Sequence, residues 1–248
     1  MLTEQRYEQI LKLLEKEGSI TVTEVKELLN TSESTVRRDI TALHNAGKLV
    51  KVFGGAIASD HVVTPQEPTV AQKITVHVSE KQRIAAYASE MIRQGEFIYL
   101  DAGTTTEMMI DFLNERDVLY VTNGITHARK LMNAGFNVHL IGGEIKSITE
   151  ALVGEEAIEQ LDRYNFTKGF FGTNGIDEQR GLSTPDMKEA AVKRKAFQQC
   201  QQRYVLTDQS KFDQISAFKF ADLNKAVIIT DHLSNKKYKE MTTIKEVF

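Results

Sequence analysis

The sequence predicts a two-part α/β chain: a small helical module, then a larger α/β domain built on a mostly parallel sheet. Three observations carry this. The first quarter of the chain holds three short stretches of helical periodicity, followed by an alternating segment that ends in paired glycines. Two of the chain's three prolines, Pro65 and Pro68, then fall in one polar stretch. From Glu96 onward, short apolar runs end in glycine- and hydroxyl-rich loops and alternate with helical spacing, the pattern of buried strands joined by helices. The expected division is residues 1–58, a connector over 59–75, and residues 76–248.

Composition narrows the function classes. Of 248 residues, 41% are hydrophobic and 26% charged, enough for a core in each part. The single cysteine, Cys200, cannot close an intramolecular disulfide, so a reducing compartment is expected. With no second cysteine and no histidine cluster, neither a structural zinc nor another cofactor is expected. The opening residues MLTEQRYEQI lack the apolar stretch of a signal peptide. No apolar run reaches the roughly 20 residues of a membrane span, so a cytoplasmic location without a membrane partner is expected. A formal net charge of −3 means that any nucleic-acid contact must come from a local patch.

In the first module, Tyr7, Ile10, Leu11 and Leu14 follow helical spacing up to Glu17 and Gly18. Residues 19–22 read as a brief extended piece. Thr23 is expected to cap a second helix with Val25, Leu28 and Leu29 facing inward. After a tight connection, residues 33–45 form a third helix. Val36, Ile40 and Leu43 give it one apolar face. Its other face carries Ser34, Thr35, Arg37 and Arg38, a set that suits a helix lying in the DNA major groove. A solvated surface helix would show the same face, and the flanking sequence decides between the two. Gly47 supplies a stop, residues 48–53 alternate as a strand, and Gly54 and Gly55 turn the chain. Three helices with a trailing strand pair describe a winged helix-turn-helix, with Lys48 and Lys51 beside the DNA backbone. Asp39 is expected to hold an arginine or cap a neighbour, because phosphates repel a carboxylate.

In the second module, helical spacing runs from Ser79 to a stop at Gly95. Strands are expected over residues 97–100, 118–121, 138–141, 169–172, 203–206 and 226–229, with helices over 104–113 and 125–133. Ligands of such sheets bind beyond the carboxyl ends of the strands. The first loop there reads Asp101-Ala102-Gly103-Thr104-Thr105-Thr106. Gly103 allows close approach, three hydroxyls follow, and a helix start favours an anion, which suits a phosphate. Thr104 or Thr105 acting as a simple helix cap is the competing reading. The loop lacks the glycine spacing and Gly-Lys-Ser/Thr ending of a Walker A loop. Later loops bring Asn123, Gly143, residues 172–177, Lys188, Glu189, Lys193 and residues 208–212, the last including Lys211.

The run TVTEVKELLNTSESTVRRDITALHNAGKLVKVFGGA resembles the N-terminal signature of the DeoR family of bacterial transcriptional regulators, with its S-x-x-T-x-R-R-D-[LI]-x-x-L core and terminal G-G-A. Phe53 stands where many members carry histidine. The second half resembles that family's sensor domain through D-A-G-T-T-T, T-N-G, G-G, G-T-N-G-I, E-A-A-V-K and D-Q-S-K-F. That domain is similar in fold to ribose-5-phosphate isomerase and CoA-transferase domains. The resemblance implies operator DNA bound through Ser34, Thr35, Arg37 and Arg38, with the wing lysines beside them. It implies a phosphorylated-sugar effector near Gly103, Thr104, Thr105, Thr106 and Lys211. Asp101, Asn123, Gly143, Asn174 and Glu189 would then contact hydroxyls or line the pocket. VTPQEPTVAQK and the wing look most like Gram-positive fructose operon repressors, which would make fructose 1-phosphate the effector. A homo-oligomer, dimer or tetramer, is expected because one short recognition helix reads too little sequence. An alternative is an isomerase-like enzyme with an accessory DNA-binding domain. Asn174 cannot serve as its base, which leaves Asp177 or Glu189.

Overall fold

A computed structural model of the chain describes residues 3–17, 19–46, 48–52, 55–58 and 69–248. The expected stop at Gly47, the wing tip at Phe53 and Gly54, and the proline-bearing stretch 59–68 lie outside these residues. The chain divides into two compact units, Met1–Val63 and Thr64–Phe248.

In the first unit, α1 (Thr3–Glu17), β1 (Ser19–Thr21), α2 (Val22–Leu29), α3 (Glu33–Asn45), β2 (Leu49–Val52) and β3 (Gly55–Ala58) follow in order. The strands form an antiparallel sheet in the order β1-β3-β2. Ile10 and Leu14 of α1, Val25 and Leu29 of α2, and Val36, Ile40 and Leu43 of α3 close one core with Ile20 and Leu49. A Cβ on Gly55 would stand 2.0 Å from the Ile20 carbonyl oxygen, so only glycine lets β3 lie against β1.

Two local expectations are corrected here. Thr21, rather than Thr23, caps α2: its hydroxyl accepts from Glu24 N at 3.2 Å while the Glu24 carboxylate accepts from Thr21 N at 2.7 Å. Glutamate stands three residues after Thr21 but lysine three after Thr23, so only Thr21 can close this reciprocal box. Leu28 faces solvent, 51% exposed, and Val22 takes the inward place beside Val25.

The second unit begins with α4 (Val70–Ile74) and α5 (Val78–Ser89). The connector reading of 59–75 thus gives way to a helix from Val70, because Thr69 and Gln72 form a capping box. Then come β4 (Phe97–Leu100), α6 (Thr104–Met109), β5 (Leu119–Thr122), α7 (Ile125–Asn133), β6 (Asn137–Leu140), β7 (Glu144–Lys146), β8 (Ala151–Val153) and α8 (Glu155–Leu161). The chain continues through β9 (Phe166–Gly172), β10 (Gly175–Asp177), β11 (Gly181–Thr184), α9 (Met187–Gln198), β12 (Cys200–Leu206), β13 (Phe218–Ala221), β14 (Val227–Thr230) and β15 (Ile244–Glu246).

Seven strands form one parallel sheet in the order β15-β14-β12-β9-β4-β5-β6. Alternate side chains fill opposite faces. Tyr99, Phe171 and Val205 enter one core, while Ile98, Leu100, Phe170 and Leu206 enter the other. Strand order departs from β4 in both directions, toward β5 on one side and β9 on the other. That reversal opens a crevice beyond the carboxyl ends of β4 and β9, where open α/β sheets take their ligands.

Candidate functional site

On the first unit, α3 presents the predicted face. Ser32 caps the helix by accepting from Thr35 N at 3.2 Å, and its hydroxyl lies 2.9 Å from those of both Ser34 and Thr35. Arg37 and Arg38 are exposed opposite the buried Val36, Ile40 and Leu43. Arg37 lies 3.7 Å from Glu33, with both side chains more than half exposed. Such a pair is worth little in water and yields readily to a phosphate or base edge. Asp39 is buried and holds an arginine, but the arginine is Arg6 of α1, through contacts of 2.6 and 3.0 Å. That bidentate pair fastens α1 to the back of α3. Lys48 and Lys51 are exposed, and Lys51 Nζ donates to Thr41 Oγ1 of α3 at 3.0 Å. The wing strand and the recognition face therefore share one surface.

On the second unit, a cavity of about 230 Å³ opens at the sheet's crevice. Gly103, Thr104 and Thr105 line it after β4, Gly172, Thr173 and Asn174 after β9, and Thr207, Asp208 and Lys211 after β12. Glu189 and Lys193 reach it from α9. Of the ten predicted effector residues, Gly103, Thr104, Thr105, Asn174, Glu189 and Lys211 line this space.

Asp101, Thr106, Asn123 and Gly143 do not line it. Asp101 is 1% exposed; its Oδ2 accepts from Gly172 N at 3.0 Å and ion-pairs with Lys193, tying the loops after β4 and β9 together. Thr106 Oγ1 accepts from Gly103 N at 3.1 Å and lies 3.1 Å from His127 Nε2, so it braces the loop from inside. Asn123 Oδ1 accepts from Tyr99 Oη and Ala102 N at 3.0 Å each, and its Nδ2 donates to Leu152 O at 3.2 Å. Gly143 adopts φ +136° beneath β8, where a Cβ would lie 2.5 Å from the Val153 oxygen. These side chains carry good hydrogen-bonding groups, but the groups are spent on the scaffold. Asp177 likewise turns its carboxylate to Gln179 N and Arg180 N, at 2.9 and 2.7 Å.

The electrostatics of the cavity are cationic. Among the described residues, four lysines line it (Lys73, Lys81, Lys193 and Lys211) against two carboxylates, Asp208 and Glu189. Glu189 is already engaged: it accepts from Thr149 Oγ1 at 2.5 Å and lies 3.3 Å from Lys146 Nζ. Asp208 accepts from Ser210 N at 3.0 Å. Among the described residues, neither Lys81 nor Lys211 has a carboxylate within ion-pairing distance. Burial holds the Lys81 ammonium below the usual lysine range, partly offset by Asp208 and reinforced by Lys211. Behind the loop, burial pushes His127 down to about 4, so it is neutral at physiological pH.

Lys73, His77, Lys81 and Thr149 line the cavity without having been singled out in the sequence. The first three precede β4 on or between α4 and α5, upstream of the strand-end loops of the parallel sheet; Lys73 ends the run VTPQEPTVAQK, and no motif marks His77 or Lys81. Among the described residues no helix is long and apolar enough to cross a membrane.

An exposed helix-turn-helix face on one unit and a lysine-lined cavity at a sheet switch point on the other define a ligand-sensing DNA-binding regulator. Residues 6–62 match the DeoR-like helix-turn-helix domain, and residues 76–232 match the DeoR C terminal sensor domain. The chain belongs to the DeoR family of transcriptional regulators. It is 39% identical to an uncharacterized HTH-type transcriptional regulator, FruR, of Bacillus subtilis, over 100% of this chain and 99% of the relative. It is 34% identical to a lactose phosphotransferase system repressor of Streptococcus mutans, over 100% and 99% of the two chains. Among solved structures, ribose 5-phosphate isomerase of Methanocaldococcus jannaschii aligns with TM-score 0.40 and 18% identity over 53% of each chain.

Proposed function

We propose that the chain represses a carbohydrate-utilisation operon and leaves its operator when a phosphorylated sugar fills the cavity. The observation that carries this reading is the surplus of lysines over carboxylates in a small cavity that also offers Thr104, Thr105, Thr173 and Asn174 to hydroxyls. The lactose phosphotransferase system repressor among its relatives supports a sugar operon as the target. Fructose as the sugar, with fructose 1-phosphate as effector, rests on the likeness of VTPQEPTVAQK and the wing to fructose operon repressors. The working species is a homodimer or tetramer, so that two recognition helices engage paired half-sites. The cavity binds rather than converts its ligand: Asp177 caps its own turn and Glu189 is held by Thr149 and Lys146, so neither carboxylate is poised as a base.

The test pairs a thermal-shift screen of phosphorylated sugars with gel-shift titrations on operator DNA. A ligand that prefers the native state raises the melting temperature, and fructose 1-phosphate is expected to lead the panel. Arg37→Ala and Arg38→Ala are each expected to weaken operator binding, at least one of them relaxing base discrimination by about 1–3 kcal/mol. Unchanged titrations for both variants would remove the DNA assignment. Sugar-phosphate turnover abolished by Glu189→Gln would replace the repressor with an enzyme.

A further inference from the structure

The segment immediately after residue 68 is α4, five residues long and with no buried side chain. A helix so short has no stability of its own and persists only where its ends are held. Val70 N donates to Ile148 O at 3.4 Å and the Lys81 ammonium donates to Lys73 O, and these bonds tie α4 to the rest of the unit. The last of these joins α4 to the wall of the cavity, because Lys81 is 5% exposed and lines that space with Gln72 and Lys73.

Lys81 is the unusual member of this group. An ammonium has three donors, and the carbonyl of Lys73 takes one. No carboxylate lies within ion-pairing distance of it among the described residues, while Lys211 lines the same cavity from the loop after β12. A buried cation in this position is costly unless an anion supplies the missing acceptors, and charge-assisted bonds to a phosphate would do so on both lysines at once.

We infer that Lys81 and Lys211 are the principal ligands of the effector's anionic group, and that the anion, by bridging them beside Lys73, clasps α4 onto the sensor unit. This rests on the sugar-phosphate reading of the cavity. It adds to the loop at Gly103, whose own N–H is taken by Thr106, lysines on two other elements, α5 and the loop after β12. It also explains how occupancy can be felt outside the cavity. Among the described residues α4 is the first element of the sensor unit, so fixing α4 fixes the path of the backbone at residue 69. An empty cavity leaves α4 tied through bonds such as Val70 N to Ile148 O and Lys81 to Lys73 O; an anion on Lys81 and Lys211 adds a charged link from that contact to the loop after β12. Few buried contacts place α4 at the low-stability end of the unit, where a ligand has most to change.

Hydrogen exchange on the full-length protein tests this, with fructose 1-phosphate, other hexose phosphates and inorganic phosphate as probes. Saturating sugar phosphate is expected to slow exchange in residues 69–75 at least tenfold in the wild-type chain. Lys81→Met and Lys211→Met are each expected to lower sugar-phosphate affinity tenfold or more, and Lys81→Met to abolish the protection of 69–75. Binding by the wild type without protection of 69–75 overturns the clasp. Undiminished affinity in a folded Lys81→Met protein overturns the anion assignment, and the wild-type exchange measurement stands even if that variant fails to fold. Binding of no phosphorylated sugar at all overturns the reading beneath both.

Discussion

At the scale of the residue, the sensor unit separates polar groups that touch the cavity from polar groups that build it. Asp101, Thr106 and Asn123 carry the hydrogen-bonding chemistry a ligand would want, yet each is buried and committed to bracing the loops, Thr106 within its own and Asp101 and Asn123 between neighbours. His127 supports the loop in the same way. Its Nε2 lies 3.1 Å from both Gly103 O and Thr106 Oγ1, and burial lowers its pKa to about 4, against 6.5 for an unperturbed imidazole. Between those values the unfolded chain binds a proton that the folded chain does not. Stability contributed by neutral His127 is therefore complete above about pH 6.5 and is lost as pH falls toward 4. The loss reaches about 3 kcal/mol across that window. Urea unfolding at pH 5 and pH 7 is expected to show the fall in wild type and a smaller one in His127→Gln. An equal pH dependence in both proteins would place the titration elsewhere.

At the scale of the element, periodicity made the regular parts legible. The third helix was expected over residues 33–45 and is Glu33–Asn45; the strand after the second sensor helix was expected over 97–100 and is Phe97–Leu100. Long apolar periods have one way to be buried, so they read well from sequence. The sequence does not mark the hairpin β7–β8 or the small sheet of β10, β11 and β13: β7 (EIK), β10 (GID), β11 (GLST) and β13 (FKFA) lack the four-residue apolar run of Phe97–Leu100, and β8 (ALV) is one residue shorter. The candidate site divides along the same line. Strand-end loops supply Gly103, Thr104, Thr105, Asn174 and Lys211 to the cavity lining, whereas Lys73 and Lys81 sit on α4 and α5, helices whose relation to the cavity exists only after folding. Gly143, expected at the effector pocket, lies outside the cavity lining and is packed closely against β8. With φ at +136° and the Val153 oxygen 2.5 Å from any Cβ, Gly143→Ala must push β8 away from the entry to β7. A destabilisation of about 2 kcal/mol or more is expected from the strained backbone and the clash. Because Lys146 of β7 steadies Glu189, effector affinity is expected to fall with it. Wild-type unfolding and wild-type affinity in this variant would overturn this structural role for Gly143.

At the scale of the whole molecule, the two units need not share any particular interface for one to control the other; they need only a common equilibrium. The DNA-facing unit spans Met1–Val63 and the sensor Thr64–Phe248, and the backbone between them is a single covalent connection. An effector shifts operator affinity only if it binds the operator-competent arrangement less tightly than the alternative. That difference is a coupling free energy, typically about 1–3 kcal/mol, and linkage makes it reciprocal. Operator DNA must therefore weaken sugar-phosphate binding by the same factor by which the sugar phosphate weakens operator binding. Two titrations measure this on the intact protein: effector binding by calorimetry with and without saturating operator, and operator binding by anisotropy with and without saturating effector. The two ratios of Kd are expected to agree, at about 5–150-fold for a coupling of this size. A sugar phosphate that binds the sensor equally well with and without operator carries no coupling, and the release of DNA would then require a different ligand in the same cavity.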